Sequence, residues 1–398
     1  MKRFLKIGLG LSVLTVAGMF VAWATSPDPQ FNTASFEDEA LVERIAPMSE
    51  ATTLAQFTGE GAEARTLLVL SFSEESVTGI DLVELGGKLS ADPFKALASV
   101  STLPTDIKAA QSYPTIEVPI ALLLPAGSSG GRHIGTGTNF PEHAEEANSG
   151  SVFQFPKFGV ATPARTTVTS QSDILLDYEV ELCMRFDRDI ASLEDFDAAT
   201  KGVFLCGDFT NRNALVELAD PDNLDSGSGF SDSKSGPGHF PTGPFLVIPK
   251  DWKAFVSDIR MTTNLNDEPR QDARGGEMTL DFRELVAKSL GDMSEPRFLY
   301  RDGYELLAPN ASIEQSMTLM SGTSEGVIFT TPSRGDIIHA ISNYLLAGGP
   351  LASSGFMEGA KATFIENELA SGHFLQPGDT VRHGSSYLGN IEVKVVSE

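Results

Sequence analysis

Near the middle of the 398-residue sequence, apolar and acidic residues alternate strictly: Leu176-Asp177-Tyr178-Glu179-Val180-Glu181-Leu182-Cys183. In a strand, Leu176, Tyr178, Val180 and Leu182 share one face, and Asp177, Glu179, Glu181 and Cys183 share the other. The chain returns as Val203-Phe204-Leu205-Cys206-Gly207-Asp208, a second apolar strand ending in a carboxylate. If these strands are neighbours, Glu179, Glu181 and Asp208 converge. Two carboxylates about 4 Å apart repel by ~4 kcal/mol at an effective dielectric of ~20. Such a cluster persists only when protonated or bound to a cation. All-oxygen ligands with open positions suit Mg²⁺, with Ca²⁺ or Mn²⁺ as alternatives. Taken alone, the run also reads as an amphipathic strand with a wet acidic face.

A second group is Asn139-Phe140-Pro141-Glu142-His143-Ala144-Glu145-Glu146. His143 and Glu146 are three apart, so on a helical turn they face one another. A carboxylate beside an imidazole orients it and raises its basicity, which suits a general base for water. Alone, the segment reads equally as a solvated acidic turn. Gly322-Thr323-Ser324-Glu325-Gly326 fits the G-x-S-x-G nucleophile elbow, so a serine esterase acting through Ser324 is a rival. The elbow needs a helix directly after its serine, whereas 327–330 reads as a strand and Pro332 follows. Ser231 and Lys234 fit S-x-x-K, but in a Ser/Gly/Pro-rich stretch. Gly135-Thr136-Gly137 lacks both a third glycine and a P-loop lysine, so nucleotide binding is unsupported. His133, His239, His339, His373 and His383 lack metal-ligand spacing.

The elements that must position these groups are mostly strands. Strand patterns fall at 66–72, 118–125, 174–186, 203–209, 245–248, 327–330 and 391–396. Helical spacing runs over 37–57, 280–290 and 336–346, the last two ending at glycines. The stretch 220–238 is a Ser/Gly/Asp-rich loop. Strands outnumber helices without regular alternation, which predicts a β-rich α+β fold. The formal charge of −25 argues against nucleic acid and anionic membrane surfaces as partners. Two cysteines exclude a disulfide-rich scaffold.

Lys2, Arg3 and Lys6 precede an uncharged run from Ile7 to Pro27, and Ala22-Trp23-Ala24 resembles a cleavage site. Residues 1–24 therefore read either as an export signal or as a single membrane anchor. Either assignment puts the body outside the cytoplasm, periplasmic or extracellular. Ser128-Ser129-Gly130-Gly131 marks a boundary between a region of unassigned role, 25–130, and a body over 131–398.

The ordered blocks of that body resemble the fumarylacetoacetate hydrolase family. Asp177-Tyr178-Glu179-Val180-Glu181-Leu182 looks like its E-x-E metal strand. Gly207-Asp208-Phe209-Thr210-Asn211-Arg212-Asn213 resembles its N-D-[VW]-S-A-R-D segment, departing at Gly207, Asn211 and Asn213. Lys234 to Pro244 resembles the K-x(n)-P-x-G-P block, and Thr263 to Gln271 the T-x-V-N-G-x-x-x-Q stretch. Gly322 to Val327 resembles T-G-T-P-x-G-V, and Gln376 to Val381 the L-x-P-G-D-x-V strand. Asn139 to Glu146 resembles N-Y-x-x-H-x-x-E. The blocks keep the family's order, with an insertion at about 333–372 that reads as a lid or an oligomer contact. Residues 36–130 show no resemblance.

The resemblance implies the mixed β-sandwich roll of the fumarylacetoacetase C-terminal-domain type, and a homodimer. It implies metal ligands Glu179, Glu181 and Asp208, catalytic His143, Glu146 and Lys234, and substrate contacts from Arg212, Gln271, Thr323 and Lys157. The implied reaction is metal-dependent hydrolysis of a carbon–carbon bond in a small 2-oxo or 1,3-diketo acid. Dehydratase, isomerase or oxaloacetate-type decarboxylase activity is the alternative within the family, and a non-catalytic metal-dependent binding protein the alternative outside it. Cys183 and Cys206 flank the metal residues on the carboxylate face. They are either a disulfide bracing that site in an oxidising compartment or two separate buried thiols.

Overall fold

Strand pairing brings the acidic run and Asp208 together. The computed structural model describes residues 18, 21–26, 29–351, 353 and 355–398. Lys2, Arg3, Lys6 and most of the apolar run after them lie outside the described residues. Among the described residues, no helix is long and apolar enough to cross a membrane.

The strands are, in chain order, β1 Ala51–Thr58, β2 Ala64–Phe72, β3 Ser76–Asp81, β4 Ile116–Pro119, β5 Arg132–Gly137, β6 Phe153–Phe158, β7 Arg165–Ser170, β8 Leu176–Asp177, β9 Val180–Phe186, β10 Lys201–Gly207, β11 Thr210–Asn211, β12 Leu246–Pro249, β13 Arg260–Leu265, β14 Glu268–Arg274, β15 Phe298–Tyr300, β16 Gly303–Glu305, β17 Leu319–Thr323, β18 Thr380–Ser385 and β19 Gly389–Ser397. A ten-stranded sheet has the order β4-β3-β2-β1-β12-β10-β9-β17-β5-β6, and a five-stranded sheet the order β14-β13-β18-β19-β7. The fold is thus sheet-rich α+β, as the strand count predicts.

β9 and β10 are antiparallel, with Glu181 opposite Cys206 and Val180 opposite Gly207. Alternation along the two strands feeds two cores. Val180, Leu182, Met184, Val203 and Leu205 join Met261, Ile391 and Val393 of the smaller sheet in one buried cluster. Cys183, Phe204 and Cys206 join Leu54, Leu68, Phe94 and Leu246 in the other. The two sulfurs are bonded, with Cα atoms 6.0 Å apart, so the bridge ties the strand carrying Glu181 to the strand leading into Asp208.

Several elements differ from the sequence expectation. The stretch 37–57 is not a helix: its first part is irregular and its last part is β1, paired with both β2 and β12. Pairing buries Ala51, Leu54 and Ala55, and that tertiary gain overrides local helical spacing. Residues 51–119 thereby extend the same sheet that carries the acidic strand. The run 174–186 is two strands, interrupted at Tyr178 and Glu179. The 327–330 segment is irregular rather than extended in a sheet. The loop 220–238 contains a one-turn helix, Phe230–Lys234. Helices do form at Phe282–Leu290 and Arg334–Leu346, the first with a capping box from Asp281 and Glu284. A further helix, Phe356–Ser371, packs on Arg334–Leu346, so residues 334–371 form a helical hairpin.

Three core histidines are held neutral. His133 is pushed down to about 4 by burial; its Nδ1 accepts from the Thr318 amide (3.2 Å) and its Nε2 pairs with the Gly159 carbonyl (2.9 Å). Burial pushes His239 and His383 down to about 3, with Lys157 adding to the effect at His239. Once unfolded, each takes a proton near 6.5. The unfolded chain therefore binds more protons below pH 6.5, down to about 3–4. Stability falls as pH drops through that window, by up to ~1.4 kcal/mol per pH unit for each histidine. The thermal midpoint, followed by circular dichroism from pH 6.5 to 5, is expected to decline steadily as the pH falls.

Candidate active site around a buried carboxylate cluster

Each carboxylate of the acidic group sits at or beside a strand end or break. Glu179 occupies the interruption between β8 and β9, and its carbonyl accepts the Asp208 amide (2.9 Å). Glu181 lies one residue into β9, and Asp208 follows the end of β10. Their carboxylate oxygens come within 4.8 Å of one another, and all three residues are buried.

The cluster is wired to three cations and a fourth acid. Lys157 reaches Asp208 Oδ1 (2.6 Å) and also donates to the Lys234 carbonyl. Lys234 Nζ bridges Glu179 Oε2 (2.6 Å) and Asp208 Oδ2 (2.9 Å), the latter an ion pair without hydrogen-bond alignment, and donates to Thr210 Oγ1 (2.9 Å). Arg212 pairs with Glu179 Oε1 (2.9 Å) and Asp177 (2.7 Å). Asp177 also accepts the amides of Ile328 and Phe329 (both 3.0 Å), so it fixes Arg212 and the segment after β17 together. Asp177 was not singled out as a site residue, although the alternating acidic run that contains it was the available signal.

Four carboxylates thus face three fixed cations, and Glu181 is the one without an ion-pair partner among the described residues. Its Oε2 accepts the Gly322 amide (2.9 Å), while its Oε1 is buried without a hydrogen bond. Burial, then Asp208 and Glu179, push the Glu181 carboxyl well above the usual range. Burial also acts on Asp208, but Lys157 and Lys234 outweigh it and hold that carboxyl below its usual range. Lys234 is held above its usual range because Asp208 and Glu179 outweigh its burial. Lys157 is pushed below its usual range, burial outweighing the pull of Asp208. An orphaned buried oxygen in an all-carboxylate group fits a hard divalent cation such as Mg²⁺, Ca²⁺ or Mn²⁺.

The helix Pro141–Glu146 starts on a proline and carries the His143–Glu146 pair on one face. His143 Nδ1 meets Glu146 Oε2 at 2.9 Å, which leaves Nε2 for the cavity. Glu146 Oε1 accepts the Gly326 amide (2.9 Å). Gly326 has φ +94°, and a Cβ there would lie 2.0 Å from the Arg270 carbonyl oxygen, so the turn requires glycine.

A cavity of about 530 Å³ joins these groups. His143, Glu146, Glu179, Arg212, Lys234 and Thr323 line it; Lys157, Glu181, Asp208 and Gln271 do not. Lys157 lies behind the cluster, fully buried. Gln271 is committed internally: its Oε1 accepts from Val180 N (3.2 Å) and Thr263 Oγ1 (2.9 Å), and its Nε2 donates to Thr323 Oγ1 (2.9 Å) and the Ser324 carbonyl (3.0 Å). It clamps β14 to β9 and to the end of β17. Thr323 Oγ1 donates in turn to the Val180 carbonyl (3.0 Å). Ser324 is fully buried with no helix after it, the wrong setting for a nucleophile elbow.

Residues 132–296 match the fumarylacetoacetate (FAA) hydrolase C-terminal family. That match contains β9 and β10 with Glu179, Glu181 and Asp208, the His143–Glu146 turn and Lys234. Over 170 residues the chain is 30% identical to an uncharacterized protein of Staphylococcus aureus (strain USA300), covering 41% of this chain and 53% of that protein. It spans about half the length of the curated relatives it matches. Its fold is similar to that of a fumarylacetoacetate hydrolase from psychrophilic Exiguobacterium antarcticum (TM-score 0.52, 17% identity, 87% of this chain and 100% of that chain). It is also similar to a 2-hydroxyhepta-2,4-diene-1,7-dioate isomerase from Mycobacterium marinum (TM-score 0.51, 14% identity, 87% and 99%).

Metal binding must compete with the proton on Glu181, so affinity is expected to rise with pH. Titration calorimetry with MnCl₂ is expected to show one site per chain. Its affinity should grow by up to about tenfold per pH unit while that carboxyl is protonated, and Glu181→Gln should abolish it. An affinity that does not rise with pH would contradict the assignment.

Proposed function

We propose that the protein is a divalent-metal-dependent hydrolase that cleaves a carbon–carbon bond in a 2-oxo or 1,3-diketo acid. The observation that carries this reading is the His143–Glu146 pair on the wall of the cavity that also exposes Glu179, Arg212 and Lys234. An isomerase needs to move a proton within its substrate; a hydrolase also needs a base aimed at water, and this pair supplies one.

In this reading Glu179, Glu181 and Asp208 hold the cation, which when bound polarises the oxygens of the acid and its neighbouring carbonyl. Glu146, fixed by the Gly326 amide, orients His143 through Nδ1. His143 takes a proton from water at Nε2 as the water oxygen bonds to the distal carbonyl carbon. The carbon–carbon bond then breaks, and its electron pair stays on the methylene carbon, which takes a proton. One water is consumed, and a carboxylic acid and a 2-oxo acid are formed. Lys234 and Arg212 present positive charge where negative charge grows. Arg212 is steadied by Asp177 and by the Phe329 ring, 5.2 Å from its guanidinium carbon.

We also place the body outside the cytoplasm. The buried Cys183–Cys206 bridge supports that placement, since such bonds persist in oxidising compartments.

With manganese-loaded protein and short acylpyruvates, His143→Ala is expected to lower kcat by ~10²–10⁴-fold while manganese binding persists. Glu146→Gln should act in the same direction but less strongly. Unchanged hydrolysis in His143→Ala would remove the proposed base.

A further inference from the structure

The cavity is larger and more apolar than its acidic end requires. A 2,4-dioxo acid head has eight heavy atoms and takes ~240 Å³ at the ~30 Å³ of a water-sized group. That is less than half of the 530 Å³ available. The apolar wall includes Leu215, Phe230, Ile337, Phe356 and Phe364. The last three belong to the helical hairpin over residues 334–371, so the hairpin builds much of the apolar end.

Of the three cations among the described residues of the wall, two are already committed to carboxylates. Arg212 is held by Asp177 and Glu179, and Lys234 by Glu179 and Asp208. Lys361, the third, donates to the Glu217 carbonyl (2.9 Å) in a solvent-exposed hydrogen bond and has no ion-pair partner among the described residues. Asp336, also on the wall, adds a carboxylate there, fixed by Ser333 and Asn367. A dioic acid whose far carboxylate stopped short of Lys361 would leave it against phenylalanines, at a large desolvation cost.

We propose that the substrate is a monocarboxylic 2,4-dioxo acid whose distal carbonyl carries a long apolar tail, seated against that hairpin. This rests on the hydrolase reading above and adds the substrate class. Cleavage would convert R–CO–CH₂–CO–COOH and one water into R–COOH and pyruvic acid, with the water oxygen in R–COOH and the released electron pair protonated at the methylene carbon.

Binding and turnover test this separately. Binding of unreactive 2-oxoalkanoates of four to twelve carbons to the manganese-loaded full chain is measured by calorimetry. Affinity is expected to rise about three- to fourfold per methylene, the equivalent of ~0.8 kcal/mol, until the hairpin end is filled. A 2-oxo dioic acid of equal length should bind at least tenfold more weakly. Ala360→Trp, on the hairpin wall, should reduce the long-to-short affinity ratio at least tenfold, and Phe364→Ala should also diminish it, so the test survives if one variant misfolds. Affinity independent of tail length, or preference for the dioic acid, would overturn the inference. Turnover of the matching 2,4-dioxo acids is followed in parallel. Length-dependent binding without any hydrolysis would support the tail site and remove the hydrolase reading; hydrolysis with no length dependence in binding would do the reverse.

Discussion

Glu181 is a buried acid for which the protein supplies no cation of its own among the described residues. Lys157, Arg212 and Lys234 answer three of the four carboxylates gathered around Glu179, and the fourth is left with one amide and one orphaned oxygen. Burying an unpaired carboxylate is costly enough that it protonates or finds a cation. Removing one lysine or arginine would worsen the imbalance, because it would strand a second buried charge. The arrangement is therefore poised for a divalent ion rather than balanced as a structural salt-bridge network.

The surrounding structure serves that imbalance. β9 and β10 hold Glu181 and the approach to Asp208 in fixed register, and the Cys183–Cys206 bridge spans the same two strands. Gln271 links β14 to the Val180 amide and to Thr323, so the smaller sheet is locked to β9 through one buried side-chain amide. Asp177 ties Arg212 to the segment that follows β17, and Gly326 in that segment anchors Glu146. The carboxylate side and the His143 side of the cavity are thus coupled through residues 322–329. The chain before β1 touches the same segment: Asn32 donates to the Val327 and Phe329 carbonyls, and the Ser35 amide reaches Glu325.

Much of the site was legible because period-two alternation and an i, i+3 pair are local features. The alternating run placed Glu179 and Glu181 together, and the helical turn placed His143 against Glu146. Asp208 came from reading the returning strand 203–208 as a neighbour of that run, and Lys234 and Arg212 came from resemblance. What stayed hidden depended on tertiary pairing. Residues 51–58 look helical in isolation and become a strand only because β2 and β12 lie on either side. Gln271 and Lys157 were expected to contact substrate, but hydrogen-bond accounting inside the fold commits both to protein partners. The helix Phe356–Ser371 begins at Gly355 without a side-chain cap, so it carried no start signal.

Diffraction from manganese-soaked crystals, recorded at the manganese edge, tests the central claim most directly. The account predicts one strong anomalous peak bonded at ~2.0–2.6 Å to Glu179, Glu181 and Asp208, with Lys234 drawn back from its bridge between Glu179 and Asp208. A crystal with no such peak, and with Lys234 still spanning the two carboxylates at saturating manganese, would contradict it.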